Sequence, residues 1–186
     1  MKRLFDISLS MFCIIVFLIP MLLIASLIKF NSQGSVIHWS KRVGINNEIF
    51  LMPKFRTMTE NAPNVATHLM RNSDSYLTAI GKILRKTSLD ELPQLYSILM
   101  GQMSFVGPRP ALFNQYDLIE LRTKYDIDKI KPGLTGWSQI NGRDDLTIEQ
   151  KVDFDTEYLN RKSFIFDLLI IYRTAISAVR QNDISH

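Results

Sequence analysis

The sequence predicts an α+β fold, mostly α: an N-terminal membrane re-entrant helix, a small β-hairpin and interfacial helices around one compact cytosolic domain. Three observations carry that prediction. Met11 to Ala25 is an unbroken apolar run, two strand-like segments follow it around a turn, and most of the remainder carries apolar residues at helical spacing. With 46% hydrophobic and 22% charged residues, 8 Gly and 7 Pro, the 186-residue chain is neither disordered nor collagen-like. Cys13 is the sole cysteine, so no internal disulfide or cysteine-based zinc site can form. His38, His68 and His186 are too scattered to suggest a metal cluster. A net charge of +4 beside a long apolar segment points to an anionic membrane surface rather than to nucleic acid, because aromatic and basic residues do not alternate on one face.

Residues 1–30 form the predicted membrane segment and residues 31–186 the predicted cytosolic catalytic domain. Lys2 and Arg3 before a long apolar run resemble a signal peptide, but the run is long, contains Pro20 and lacks a small-x-small cleavage site. Pro20 removes a backbone donor and crowds the preceding turn, so a kink or break is expected there. The arm Leu4 to Ile19 would be ~24 Å long as helix and the arm Met21 to Ile28 ~12 Å, and neither crosses a hydrocarbon core of ~30 Å alone. Lys2 and Arg3 before the segment, with Lys29, Lys41 and Arg42 after it, draw both ends to the cytoplasmic side. Charge and proline together leave a re-entrant helix and a spanning one level.

Ser35 to Trp39 and Glu48 to Arg56 read as two strands joined through Gly44 and Asn46-Asn47, a pair that tolerates left-handed backbone. Residues 57–79 read as an irregular or short-helical insertion. Ile80 to Arg85, Leu92 to Met100, Phe113 to Ile130, Ile148 to Leu159 and Phe164 to Val179 read as helices, with Lys131-Pro132-Gly133 ending the third. Asp167 and Arg173 inside the last each cost roughly 2.5–3.5 kcal/mol at a bilayer centre, so that helix is expected along the interface or in the core.

The densest chemical signal is Arg85-Lys86-Thr87-Ser88-Leu89-Asp90-Glu91-Leu92-Pro93-Gln94-Leu95. Ser88 with Glu91 three residues on is also the pattern of a capping box. Beyond that, adjacent carboxylates at a helix start are expected to have depressed pKa values, leaving Asp90 ionised and able to act as nucleophile or metal ligand. Arg85 precedes the pair, Gly107-Pro108-Arg109-Pro110 adds a guanidinium on a rigid loop, and Lys54 and Arg56 share one face of a strand. Two carboxylates among cations beside a membrane are the inventory for holding Mg²⁺ and a diphosphate. No G-x-G-x-x-G or Walker A pattern supports a nucleotide-binding fold of those kinds.

Lys54-Phe55-Arg56-Thr57-Met58, Thr87 to Leu95, Met103-Ser104-Phe105-Val106-Gly107-Pro108-Arg109-Pro110 and Lys131-Pro132-Gly133-Leu134-Thr135-Gly136-Trp137 together resemble the bacterial sugar transferase family. These are the monotopic polyprenyl-phosphate phosphoglycosyl transferases, and the match covers nearly the whole chain in the manner of the short, minimal form. The resemblance implies an enzyme at the cytoplasmic face of the bacterial inner membrane that moves a sugar 1-phosphate from a UDP-sugar to undecaprenyl phosphate and releases UMP. It implies Asp90 as nucleophile, Glu91 as its dyad partner, and Mg²⁺ on Asp90 and Glu91. Arg85, Pro108, Arg109, Pro110, Lys54 and Arg56 correspond to the substrate-binding motifs. Gln139, Asn141 and Arg143 are further candidates for lining the site, against a reading as ordinary loop polarity. Other glycan-assembly enzymes are the implied protein partners. The family's membrane break is a Ser-Pro pair, whereas Ile19 precedes Pro20 here. Asn61 to Ala79 and the segment after Asn141 are the expected places for sugar selection. A non-catalytic membrane scaffold of a glycan-assembly complex is the competing function, and it requires the dyad to be only a cap.

Overall fold

In a computed structural model, residues 1–59, 61–62, 73–142 and 145–183 are described, with side chains from 178 onward and at 73 and 74 left aside. Helix α1 (Lys2–Asn31) leads into an antiparallel hairpin of β1 (Ile37–Val43) and β2 (Ile49–Phe55). Then come α2 (Ala79–Thr87), α3 (Gln94–Leu99), β3 (Ser104–Val106), α4 (Tyr116–Lys124), β4 (Gly133–Thr135), α5 (Trp137–Ile140), α6 (Ile148–Arg161) and α7 (Phe164–Asp183). The α+β, mostly α architecture is as the sequence predicts.

The hairpin turn works as its residues suggest. Asn46 and Asn47 both adopt left-handed backbone, at φ 52° and 61°, a conformation that asparagine tolerates better than most residues. The register sets Arg42 opposite Phe50, Ser40 opposite Met52 and His38 opposite Lys54, so these six side chains share one face. Phe50 and Met52 bury that face against the domain.

Sequence periodicity did not reveal β3 and β4, which pair in parallel with Ser104 opposite Gly133 and Val106 opposite Thr135. At three residues each they are too short for an alternating pattern to register. Their glycines are required by contact: a Cβ on Gly133 would sit 2.1 Å from the Gly107 nitrogen, and one on Gly107 would sit 2.4 Å from the Lys131 carbonyl oxygen. Only hydrogen at both Cα atoms lets the two backbones approach this closely.

The central core gathers Ile98, Phe105, Val106, Trp137, Tyr158, Phe166 and Ile170 from α3, β3, α5, α6 and α7, with Met103 from the turn before β3, and Leu9, Cys13 and Ile14 of α1 pack onto it. A second cluster joins Ile24 and Ile28 of α1 to Phe55 and Leu84, with Met21 and Ala25 alongside. One face of α1 therefore lies on the domain at both ends, and residues 15–20 form the stretch between the two clusters. Its other face exposes Leu4, Phe12, Ile15, Ile19 and Leu23.

Polar contacts fix the N-terminal end of α1. Lys2 Nζ donates to Asp167 Oδ2 at 2.6 Å and to the Val106 carbonyl at 3.0 Å. Arg3 donates to the Ile98 and Leu99 carbonyls at the end of α3, and the buried Asp6 accepts from Ser104 Oγ and the Phe105 amide. Asp167 thus has its partners inside the fold, which accounts for a charge in the first turn of the apolar α7.

The helix continues through Pro20 as one element, so the break that proline invites does not divide it. A proline forfeits one rung of the helical ladder, and packing on either side of position 20 holds the remainder in place.

Arg122 on α4 donates through Nε and Nη2 to Asp155 Oδ2 on α6, at 3.0 and 2.6 Å, while Ser138 Oγ reaches Asp155 Oδ1 at 2.9 Å. Both charges are buried, so removing one partner strands the other. Arg122→Met should lower unfolding free energy by about 3–5 kcal/mol, and Arg122→Met with Asp155→Leu should recover much of that loss, as read from thermal or denaturant unfolding of the solubilised protein.

Candidate active site

Asp90 and Glu91 sit in a single 3₁₀ turn, Leu89–Glu91, between α2 and α3. Ser88 enters that turn with left-handed backbone (φ 56°) and its side chain makes no capping bond, so the capping box that Ser88 and Glu91 spell in sequence does not form. The box that does form is Thr147 with Gln150 at the start of α6. The dyad is therefore not explained as a helix cap.

The expectation of a depressed Asp90 pKa is overturned. Burial, first, and the neighbouring Glu91 carboxylate push it up to about 6, against the opposing fields of Lys54 and Arg85 and a hydrogen bond from the backbone. A three-residue turn supplies little of the dipole that a full helix start would offer, and Asp90 is only 7% exposed. Desolvation wins.

Lys54 is moved the other way. Burial and the fields of Arg42, Arg85 and Arg109 lower it to about 8, although Asp90 opposes them. Arg42 is lowered to about 10 by burial and Arg109, with Glu91 opposing. Four cations, Arg42, Lys54, Arg85 and Arg109, thus act with two carboxylates in one partly desolvated neighbourhood. The positive surplus is what a polyanionic ligand would neutralise.

The scaffold holds each cation differently. Arg85 Nε donates to Thr57 Oγ1 at 3.0 Å, tying α2 to the end of the hairpin. Arg109 Nη2 donates to Glu91 Oε1 at 3.1 Å. Its loop is fixed from behind, because Arg122 Nη1 donates to the Arg109 carbonyl at 2.8 Å and Arg42 Nη1 to the Pro110 carbonyl at 3.0 Å. Pro108 and Pro110 restrict the backbone on both sides of Arg109. Pro108 also accepts the Gly133 amide at 2.9 Å, which anchors the loop to the β3–β4 pair.

Not every predicted site residue converges. β2 ends at Phe55, so the strand alternation that would set Arg56 beside Lys54 stops there. Arg56 is buried and donates through Nη2 to the Ser32 carbonyl and hydroxyl, at 3.1 and 2.8 Å, fastening the C-terminal end of α1. Asn141 Nδ2 donates to the Trp137 carbonyl and closes α5. Gln139 Nε2 donates to the Leu134 carbonyl, and its side chain lines a cavity that Glu91 also lines. Arg143 lies outside the described residues, as does most of the Asn61 to Ala79 segment. Arg42 was missed as a site residue. The signal was available in the hairpin register, which puts it on the face of Lys54.

Among the described residues no cluster of three or more His, Cys, Asp or Glu side chains is present. Asp90 and Glu91 nevertheless fit Mg²⁺. That ion characteristically takes one or two protein carboxylates and completes its shell with phosphate oxygens and water, and the mutual repulsion of this pair is what a cation would relieve.

Comparison with known proteins agrees with this chemistry. The exopolysaccharide production protein ExoY of Rhizobium meliloti (strain 1021) is 38% identical over 188 residues, covering 93% of this chain and 83% of its own. The UDP-glucose:undecaprenyl-phosphate glucose-1-phosphate transferase of Escherichia coli (strain K12) is 39% identical, over 94% of this chain and 39% of its own. The undecaprenyl-phosphate galactose phosphotransferase of Salmonella typhimurium is 34% identical, over 98% and 41%. The family model described as bacterial sugar transferase matches residues 1–181. A dyad with Asp90 buried and Glu91 half-buried, under a surplus of cations, is thus carried on a chain that belongs to the bacterial sugar transferase family.

Proposed function

We propose that this protein transfers a sugar 1-phosphate from a UDP-sugar to undecaprenyl phosphate at the cytoplasmic face of the bacterial inner membrane, through a phosphosugar ester of Asp90. The observation that carries the proposal is the cationic surplus of Arg42, Lys54, Arg85 and Arg109 around a buried carboxylate. A diphosphate donor and a lipid phosphate acceptor are both anions, and their mutual repulsion is the barrier that such a site lowers.

In the first step an Asp90 carboxylate oxygen attacks the phosphorus that carries the sugar. The bond between that phosphorus and the oxygen bridging to the uridine-side phosphate breaks, and UMP leaves. In the second step an acceptor phosphate oxygen attacks the same phosphorus, the Asp90–phosphorus bond breaks, and the carboxylate is restored. Lys54, Arg85 and Arg109 hold the phosphate oxygens in both steps, so one set of cations serves two displacements. Glu91, oriented by Arg109, takes any proton left on the acceptor phosphate. Bound Mg²⁺ would supply further charge neutralisation at the phosphate oxygens.

The packing of α1 supports one membrane arrangement. α1 has the length and apolarity to cross a membrane, but Leu9, Cys13 and Ile14 toward one end and Ile24 and Ile28 toward the other pack on the same domain. That favours a helix lodged in one leaflet with both ends on the cytoplasmic side. A cysteine appended before Met1 and another replacing Gln33, each in a Cys13→Ser background, should both resist an impermeant maleimide outside intact cells. Labelling of the N-terminal probe alone would establish a spanning helix.

The purified enzyme should release UMP from a cognate UDP-sugar and yield a phosphosugar adduct on the Asp90 peptide by mass spectrometry. Asp90→Asn should abolish both, and full turnover by that variant would reject the nucleophile.

A profile of kcat/KM against pH should be bell-shaped. It should rise through an apparent pKa of about 6 as Asp90 ionises and fall through about 8 as Lys54 loses its proton. Lys54→Met should move the acid limb upward, because the lysine's field favours ionised Asp90.

Asp90→Asn should also stabilise the fold. Between about pH 4 and 6 the unfolded chain ionises this carboxylate before the folded one does, so stability falls as pH rises, and above 6 the penalty is constant. The gain should be about 3 kcal/mol at pH 7.5 and vanish toward pH 4, measured as unfolding free energy against wild type.

A further inference from the structure

On α7 the exposed residues Ile165, Leu168, Leu169 and Tyr172 stand at i, i+3, i+4 and i+7, so they form one apolar strip along the helix. The helix starts against α1, through the Lys2–Asp167 ion pair and an edge-on contact of Phe5 with Phe164 at 5.2 Å. The strip therefore begins beside the exposed apolar side chains of α1, Leu4 among them.

Cations edge that strip. Arg161, at the junction of α6 and α7, sets its guanidinium over the Phe166 ring at 4.4 Å and over Trp137 at 5.5 Å, and Arg173 reaches the same Trp137 at 5.4 Å. Phe166 and Arg173 lie about two turns apart on one side of α7, so the two arginines follow a single edge of the helix. Leu169, four residues before Arg173, brings the apolar strip up to that edge. Lys162 is exposed next to Arg161.

Trp137 is the platform that both arginines share. Its Nε1 donates to Glu157 Oε2 at 2.7 Å, and Arg161 donates to the other oxygen of that carboxylate. One negative charge thus meets three positive ones. Among the described residues Arg173 has its ring contact and neither a hydrogen bond nor an ion pair. A guanidinium drawn to an aromatic ring is held there without spending its N–H donors, which stay available to a phosphate.

Charge beside an apolar strip selects the occupant. A soluble anion would answer the cations and leave Ile165, Leu168, Leu169 and Tyr172 in water, whereas an anionic bilayer surface answers both. We infer that Arg161, Lys162 and Arg173 form a binding site for anionic phospholipid headgroups, with the strip from Ile165 to Tyr172 seated in the acyl boundary beside it. The site lies apart from the dyad, since neither arginine is among the charges that act on Asp90.

Trp39 and Trp137 are the two tryptophans of the chain, so Trp39→Phe leaves a single indole, in contact with both arginines, as reporter. In dodecyl maltoside, dihexanoyl-phosphatidylglycerol should shift Trp137 emission saturably, and dihexanoyl-phosphatidylcholine should require about tenfold more lipid for the same shift. Arg161→Gln with Arg173→Gln should weaken the phosphatidylglycerol response about tenfold. Arg161→Lys with Arg173→Lys, which keeps the charge and serves if the glutamine pair does not fold, should stay within about threefold of the parent. Equal responses to the two lipids would overturn the assignment. So would an equal response to inorganic phosphate, which would make this a site for soluble anions, or displacement by UDP-sugar, which would give the arginines to the donor. Emission that moves with protein concentration and not with lipid would mark a contact between copies and overturn it as well. The readout is binding alone, so an inactive Asp90→Asn should respond as the parent does, and the transfer reaction and the headgroup site can fail separately.

Discussion

The arrangement depends on a 30-residue apolar helix being held to the same body at both ends. Lys2, Arg3 and Asp6 bind α3, β3 and α7 at one end, and Ser32 accepts from Arg56 at the other. Such a helix cannot act as a free tether. Charged groups inside an apolar segment are costly in lipid, and here they are spent against backbone carbonyls and buried carboxylates of the domain. Between Met11 and Leu23 the outward face is apolar throughout, with Ser8 and Ser26 exposed on either side. The depth of the reactive turn relative to lipid is then set by packing, because Leu9, Cys13 and Ile14 of α1 join the cluster onto which Leu92, two residues after Asp90, also packs.

Within that frame the dyad is a strained electrostatic compromise. Burial shifts Asp90 and Lys54 toward their neutral forms even though each favours the other's charge. Two carboxylates in sequence repel, and four cations in the neighbourhood repel as well. Anionic substrates reverse much of this, since each phosphate introduced lowers the cost of every cation around it. The site is therefore least at ease when empty, the condition under which charge binding is most favourable.

Much of this could be read from residues alone, for reasons that differ by element. The apolar run of α1 and the Asn46-Asn47 turn were legible because hydropathy and left-handed backbone are local properties. The dyad, Arg85 and the Gly107 to Pro110 loop were legible as motifs, and the structure groups their charges. The sign of the Asp90 shift was not legible, because sequence adjacency suggests a helix dipole while burial depends on what packs around the turn. Arg56 bonds to the end of α1, a contact that strand alternation alone does not foretell. Arg42 was overlooked because its membership depends on cross-strand register. The β3–β4 pair escaped because its evidence is a pair of close-approaching glycines distant in sequence.

The arginine scaffold behind the Pro108 to Pro110 loop explains how a largely buried loop serves the proposed two-step displacement. Arg109 presents its guanidinium to Glu91 while its own carbonyl is held by Arg122, and Arg122 is in turn locked by a buried Asp155 that Ser138 also contacts. This chain of contacts runs from the reacting dyad through α4 to α5 and α6. Two prolines limit the loop's backbone freedom, and two arginines satisfy its carbonyls from behind. The cation that meets the phosphates is thereby pre-oriented, so binding energy goes into the displacement rather than into ordering the loop. In the proposed mechanism that rigidity matters most in the second step, when UMP has gone and the same guanidinium meets an acceptor arriving from the lipid side.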